Sequence, residues 1–239
     1  MYKNFSKVYD KFMEICNYDE WVGLLEGYIK EYNPEGKKVL DLGCGTGSTL
    51  VNFSEKYECS GLDLSEEMLK KAKIKLKGKN VPLFLGDMRE FDTGERYDII
   101  FSFFDTVNHL TSAEDLMDLF NSVRNSLNKD GIYVFDVVDR EFMDKMFAND
   151  VYADNRKDFA VIWEHFYNED ENLDEIEATY FVKNKNKTFD KFTEYYEKRI
   201  FSEDEIKKCS ENARLKIVKC EINSEIAGKR FFYVLKNEN

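Results

Sequence analysis

Between residues 37 and 139 the apolar positions fall into two alternating patterns. Short, nearly continuous apolar runs, "KKVLDL", "ECSGLDL", "VPLFLGD" (81–87), "YDIIFSFF" (97–104) and "GIYVFDVVD" (131–139), predict strands covered on both faces, as parallel strands are. Between them the apolar residues repeat at helical spacing. "SEEMLKKAKIKLKGK" carries Ser65 as its N-cap, Glu66 and Glu67 in its first turn and lysines in its last, with Met68, Leu69, Ala72 and Leu76 on one face. "SAEDLMDLFNSVRNSL" has Ser112 as cap and a stripe of Leu116, Leu119, Phe120, Val123 and Leu127. "TGSTLVNFSEKY" predicts a further helix packing through Leu50, Val51 and Phe53. This alternation predicts an α/β fold with a doubly wound parallel sheet.

The flanks read differently. Residues 1 to about 32 carry aromatic and aliphatic residues at mixed helical spacings and predict two short helices, ended by the turn "NPEG" (33–36). After about residue 150, "FAVIWEHFY", "EIEATYFVK" and "FDKFTEYYEKRIF" predict aromatic, β-branched strands separated by polar turns, an antiparallel insertion. A helix opened by the capping box Ser202-x-x-Glu205 and two closing strands, "LKIVKCEI" and "KRFFYVLK", follow. The expected division is 1–36 as capping helices, 37–148 with 201–239 as the core, and 149–200 as the insertion.

Composition narrows the class. At 239 residues the chain can bury a core without disulfides or metal. Its five cysteines include no C-x-x-C pair, and no metal site is expected. Free thiols, the absence of a run of about 18 apolar residues and an N-terminus unlike a signal peptide predict a cytoplasmic protein with no membrane partner. Thirty-five Lys and Arg against 47 Asp and Glu leave a net charge of −12, which disfavours polyanionic partners such as nucleic acid. The basic runs "KKAKIKLKGK" (70–79) and "KNKNK" (183–187) read as a solvated helix face and a hairpin tip.

The chemistry concentrates in "VLDLGCGTGSTL" (39–50). A glycine-rich loop between strand and helix faces a ligand at the carboxyl end of the sheet. The spacing Gly43-x-Gly45-x-Gly47 after Asp41 is not the G-x-G-x-x-G register of dinucleotide sites. It resembles the D/E-x-G-x-G-x-G signature of S-adenosylmethionine-dependent methyltransferases with a Rossmann-like fold. A purely structural turn is the competing reading. Asp63, ending the second strand, can accept both hydroxyl protons of a ribose. In "GDM" (86–88), Asp87 and Met88 match the positions where that family meets the adenine amino group and ring.

"YDKFM" (9–13), "YDEW" (18–21), "LDLGCGTG", "GLDLSEEML", "GDMREF" and "FFDTVNHL", in this order, are similar to a YqeM-like group of bacterial small methyltransferases. The resemblance implies S-adenosylmethionine as cofactor and a seven-stranded sheet of order 3-2-1-4-5-7-6 with its last strand antiparallel. It also implies that Tyr9 and Trp21 cover the methionine end of the cofactor. Cys44, Leu64, Phe103 and Phe104 complete the expected cofactor set.

The segment after the fourth strand, "FFDTVNHL" (103–110), should border cofactor and acceptor. It offers Asp105, Asn108 and His109, and His109 is the candidate catalytic base. A capping or core role is its structural alternative, and His165 in the insertion is a second candidate. The loop lacks the [DN]-P-P-[YF] stretch of adenine and glutamine amino-methyltransferases, and no C-x-x-x-C-x-x-C provides cluster ligands for radical chemistry. "EHFYNEDENLDEIE" (164–177) holds seven acids and no Lys or Arg, which would favour an amine acceptor if it bordered the mouth. The leading expectation is therefore methyl transfer to a small molecule. A tRNA or ribosomal substrate, a cofactor-binding protein without transfer activity and a nicotinamide oxidoreductase stand as alternatives. Monomer and homodimer both remain open.

Overall fold

A computed structural model describes residues 2–238. Helix α1 (Tyr9–Phe12), flanked by single 3-10 turns, and α2 (Tyr18–Tyr32) precede the sheet. The core then alternates β1 (Lys38–Leu42), α3 (Ser48–Phe53), β2 (Glu58–Asp63), α4 (Glu66–Lys75), β3 (Leu83–Leu85), β4 (Tyr97–Ser102), α5 (Ala113–Ser126) and β5 (Leu127–Val137). After α6 (Arg140–Met146) come β6 (Val151–Asn155), β7 (Phe159–Asn168), β8 (Leu173–Lys183) and β9 (Phe189–Lys198). Helix α7 (Glu203–Asn212) returns the chain to the core as β10 (Leu215–Asn223) and β11 (Arg230–Asn237).

The seven-stranded sheet has the order β3-β2-β1-β4-β5-β11-β10. Strands β1 to β5 are mutually parallel, and β11 inserts antiparallel between β5 and β10. Counting only core strands, this is the 3-2-1-4-5-7-6 order with an antiparallel last strand. Leu40, Leu42, Ile100, Tyr133 and Phe135 bury on one face beneath α5 and α7. Val39, Ile99, Phe101, Ile132 and Val134 bury on the other beneath α2 and α3. Two covered faces explain why these strands carry almost no polar alternation.

β6 to β9 form a second, four-stranded antiparallel sheet. Here alternation returns, with Phe159, Val161, Ala178, Tyr180 and Tyr196 buried against Phe5 and Val8 of the N-terminal segment.

The three helix caps at Ser65, Ser112 and Ser202 form as expected, the last as a reciprocal capping box with Glu205. Element boundaries depart where local geometry intervenes. β4 ends at Ser102 rather than residue 104, because Phe104 and Asp105 both take left-handed backbone angles (φ +63° and +52°). α3 stops at Phe53, and Tyr57 folds back to stack on that ring at 4.4 Å. α6 and β6 were not expected. Residues read as the end of a strand supply the α6 cap, Asp139 Oδ1 accepting the Phe142 N–H at 2.9 Å. Among the described residues no helix is long and apolar enough to cross a membrane.

Candidate active site

A cavity of about 640 Å³ opens at the carboxyl ends of β1, β2, β3 and β4. Its far wall comes from the N-terminal segment (Tyr2, Tyr9, Tyr18) and from β9 (Tyr195, Tyr196, Glu197). The volume suits a nucleoside-sized ligand together with a small second reactant.

The glycine loop forms the floor. The N–H groups of Gly43 and Cys44 both donate to the Leu62 carbonyl (2.8 and 3.0 Å), hanging the loop on the end of β2. Gly45 N–H donates to Asp63 Oδ2 at 2.8 Å, and Gly47 N–H to the Cys44 carbonyl at 2.8 Å. Donors that would cradle a pyrophosphate are thus bonded within the protein, which accounts physically for the departure from the dinucleotide register. Gly43 sits at φ +92°, and a Cβ there would lie 2.4 Å from Thr106 Cγ2, so no other residue fits. Gly45 is different. A Cβ on it would meet no atom of the chain, so this glycine clears space beside the cavity that it lines.

Carboxylates dominate the cofactor end. Asp41 is 4% exposed, and its side chain has no hydrogen-bond partner among the described residues. Burial, with Asp63 adding to it, pushes its pKa well above the usual carboxylate range. An unpartnered buried acid that lines a cavity fits a ligand carrying positive charge, as the sulfonium and ammonium of S-adenosylmethionine do. Asp63 accepts Gly45 N–H with one oxygen and Ser65 N–H with the other (2.8 and 2.7 Å). Burial raises its pKa, and the two backbone bonds offset part of that rise. Each oxygen keeps a further lone pair.

Asp87 lines the same cavity but is not free. Arg89 grips it through Nε (3.0 and 3.1 Å) and Nη2 (2.6 Å), while Nη1 of Arg89 reaches Asp115 at 2.7 Å. The hydrogen bonds from Arg89 hold the Asp87 carboxyl below its ordinary range. Met88, Cys44, Leu64, Phe103 and Phe104 also line the cavity. The Cys44 thiol is buried, which raises its pKa well above the ordinary value and keeps it protonated.

The two expected N-terminal anchors separate. Tyr9 borders the cavity, whereas Trp21 does not. Trp21 is 1% exposed and lies behind the wall, its ring 4.1 Å from that of Phe104, 5.2 Å from Phe103 and 5.7 Å from Phe232. The left-handed turn at Phe104 places that ring in the position expected of Trp21. Trp21→Phe is therefore expected to cost about 1–3 kcal/mol of stability through the void it leaves. S-adenosylhomocysteine affinity, read by calorimetry, should stay within about threefold of the parent. A stable variant with much weaker binding would return Trp21 to the cofactor.

Of the loop trio, only His109 lines the cavity. Asp105 turns away, paired with Lys198 and with Arg230 Nη1 (3.1 Å). Burial would raise its pKa, but those two cations outweigh it and hold it at about 2. Asn108 is fully buried as a bracket, donating to the Arg199 carbonyl (2.8 Å) and accepting the Val138 N–H (3.0 Å). His109 Nε2 meets the Tyr2 hydroxyl at 2.7 Å, and its Nδ1 is buried without a partner among the described residues. Burial, then Lys198, push the His109 pKa down to about 4, so the ring is neutral at physiological pH. His165 lies elsewhere, hydrogen-bonded to buried Asp174 (2.6 Å), whose oxygens also take Arg140 (2.6 and 2.8 Å). None of the acidic segment 164–177 lines the cavity, and the acid that β9 supplies is Glu197. Tyr2 and Tyr196 line the cavity from outside every quoted motif, whereas Tyr18, Ser48 and Arg89 lie within "YDEW", "VLDLGCGTGSTL" and "GDMREF" but had no expected role.

The Methyltransferase domain family matches residues 39–131. YqeM of Bacillus subtilis (strain 168), which carries a methyltransferase name, is 34% identical over 215 residues, covering 89% of this chain and 85% of that protein. A dTDP-3-amino-3,4,6-trideoxy-alpha-D-glucopyranose N,N-dimethyltransferase of Streptomyces venezuelae is 34% identical over 107 residues, 44% of either chain. The crystal structure of an S-adenosylmethionine-dependent methyltransferase from Clostridium acetobutylicum superposes with a TM-score of 0.87 at 25% identity, covering 100% of this chain and 99% of that one. The glycine loop, the sheet order and these likenesses agree, and the chain belongs to the S-adenosylmethionine-dependent methyltransferases.

Proposed function

We propose that this methyltransferase acts on an amine of a small molecule that carries no phosphate. One observation carries the reading. Asp41, Asp63, Asp87, Asp115 and Glu197 all line the cavity, and Arg89 is the one Lys or Arg among the described lining residues. Arg89 is already held by two of those acids. A phosphorylated acceptor would find no free lining cation to meet it, whereas an amine would find carboxyl oxygens to accept its N–H groups. Tyrosine rings from the N-terminal segment and β9 add faces that suit a cation. The Streptomyces relative, by its name, methylates an amino group on a dTDP-linked sugar. The amine agrees with this cavity and the nucleotide does not.

In this reading Asp63 holds the ribose hydroxyls, Asp87 and Met88 meet the adenine, and Asp41 lies opposite positive charge. Gly45 keeps a side chain off the cofactor, whereas Gly43 makes room for Thr106 and Gly47, which does not line the cavity, makes room for Leu76 and Ala72. Cys44 and Leu64 lie beside the loop, and Tyr9, Phe103 and Phe104 close the wall. Bound there, S-adenosylmethionine supplies a methyl group on a good leaving group, so the protein chiefly positions the acceptor and excludes water. A protonated amine has no lone pair for attack and must first lose a proton. In the tautomer that leaves Nε2 bare, His109 accepts the Tyr2 O–H. A proton leaving the acceptor can then enter at the Tyr2 oxygen as the Tyr2 proton passes to Nε2.

Calorimetry should show S-adenosylhomocysteine binding in the micromolar range, about −8 kcal/mol, and none of nicotinamide dinucleotides. A panel of unphosphorylated amines and nucleotide-linked amino sugars, read by S-adenosylhomocysteine release, then tests the acceptor. Turnover confined to the nucleotide-linked members would overturn the amine reading and leave the cofactor assignment standing.

A further inference from the structure

Lys75 ends α4 inside the basic run that reads as a solvated helix face, yet its ammonium leaves that face. Nζ donates to Asp10 Oδ1 (2.7 Å), Thr46 Oγ1 (2.8 Å) and Ser48 Oγ (2.6 Å). An ammonium has three donors and no acceptor, so both hydroxyl oxygens receive a proton from it and must aim their own protons elsewhere. The Thr46 proton goes to Asp10 Oδ1 at 2.5 Å. Ser48 lines the cavity, 3.4 Å from Thr46 Oγ1 and beside the Tyr18 hydroxyl. Its proton goes to the Tyr18 oxygen, leaving the Tyr18 O–H to point at a ligand, or rotates to the ligand itself. Burial pushes the Tyr18 phenol up to about 12, so it too keeps its proton at neutral pH.

Two O–H donors with an ammonium behind them form a patch suited to an anion, on a wall whose neighbouring groups, Asp41 and Asp63, are acids. S-adenosylmethionine carries one carboxylate, on its amino-acid end. We propose that the hydroxyls of Ser48 and Tyr18, oriented and polarised by Lys75, hold that carboxylate. Ser48 and Tyr18 are the binding residues, and Lys75 is a positioning residue that acts through Ser48. Asp10 is its counterweight, since its charge competes for the same ammonium.

The inference rests on the cofactor occupying this cavity, and the test separates the two claims. Calorimetry compares S-adenosylhomocysteine with 5′-methylthioadenosine, which keeps the nucleoside and thioether but has no amino-acid carboxylate. Lys75→Met and Ser48→Ala should each weaken S-adenosylhomocysteine about tenfold. Both should leave 5′-methylthioadenosine within about twofold. Lys75→Arg should recover most of the loss. Asp10→Asn keeps a hydrogen-bond acceptor for Thr46 and removes the competing charge, so S-adenosylhomocysteine should bind it at least as tightly as the parent. A merely structural clamp between α1 and the loop predicts the reverse, with Asp10→Asn and Lys75→Met weakening both ligands alike. That pattern, or unchanged affinities in Lys75→Met and Ser48→Ala, overturns the assignment. If the parent binds neither ligand, the placement of the cofactor itself falls, and this inference with it.

Discussion

Asp63→Ala is expected to weaken S-adenosylhomocysteine binding by roughly 3–5 kcal/mol, or about 10²–10⁴ in dissociation constant. The Asp63 carboxylate lies at the carboxyl end of β2, mostly buried, with each oxygen fixed by one backbone N–H. One lone pair per oxygen remains for the two ribose hydroxyls, and each such charge-assisted bond contributes about 1.5–3 kcal/mol net. The same substitution strips the Gly45 N–H of its partner, so the loop under the cofactor loses its anchor as well. Asp63→Asn serves as the second variant, because it keeps the volume but turns an amide N–H toward a backbone donor. Asp87→Asn should cost less, on the order of 1–2 kcal/mol, since Arg89 already occupies both Asp87 oxygens. The ordering is checked by calorimetry on variants whose circular dichroism and unfolding midpoint show a folded sheet. A folded Asp63→Ala protein that binds like the parent would remove the nucleoside from this end of β2.

The parts of the site legible in the sequence are those whose geometry is local. A strand, a glycine loop and a helix within a dozen residues dictate where Asp41, Gly43, Gly45 and Gly47 lie, whatever the rest of the chain does. Asp63 and Asp87 follow from the same logic, because each ends a parallel strand and a parallel sheet brings those ends together. Trp21 shows where that logic stops. Its helical spacing marks a buried face of α2, but not whether the cavity or another ring covers it, and the left-handed turn at Phe104 decides that. The far wall was hidden for a related reason. Tyr2 and Tyr196 meet only because the second sheet packs against the N-terminal segment, a pairing across more than 190 positions that no local pattern encodes. Lys75 failed in the opposite sense. One lysine among several in a basic run is indistinguishable by spacing, and only the position of Ser48 singles it out.

The same limit applies to the loop after β4, where chemistry alone marks His109 as the candidate base, while the left-handed Asp105 and the 3-10 turn Val107–His109 decide which of Asp105, Asn108 and His109 reaches the cavity. With His109 alone at the cavity, His109→Gln is expected to lower the methylation rate by roughly 10²–10⁴-fold while cofactor affinity is retained. Tyr2→Phe should lower the rate less, because the imidazole survives and water can replace the hydroxyl. A pKa of about 4 means the bare ring is available throughout the neutral range. The His109 limb of the rate profile should therefore appear only as pH falls toward about 4, and any dependence between about pH 7 and 9 belongs to the amine. One arm needs no acceptor. The unfolded histidine takes up a proton near pH 6.5, whereas the folded one resists until about 4. The unfolded state therefore binds more protons in that window, and stability falls as pH drops through it, by on the order of 2–3 kcal/mol from this group. His109→Gln should flatten that part of the parent's stability profile measured by urea unfolding. A variant with the parent's acid slope would mean the ring is not held neutral by its surroundings. A rate within about tenfold of the parent's would assign His109 to the architecture of the loop rather than to the acceptor's proton.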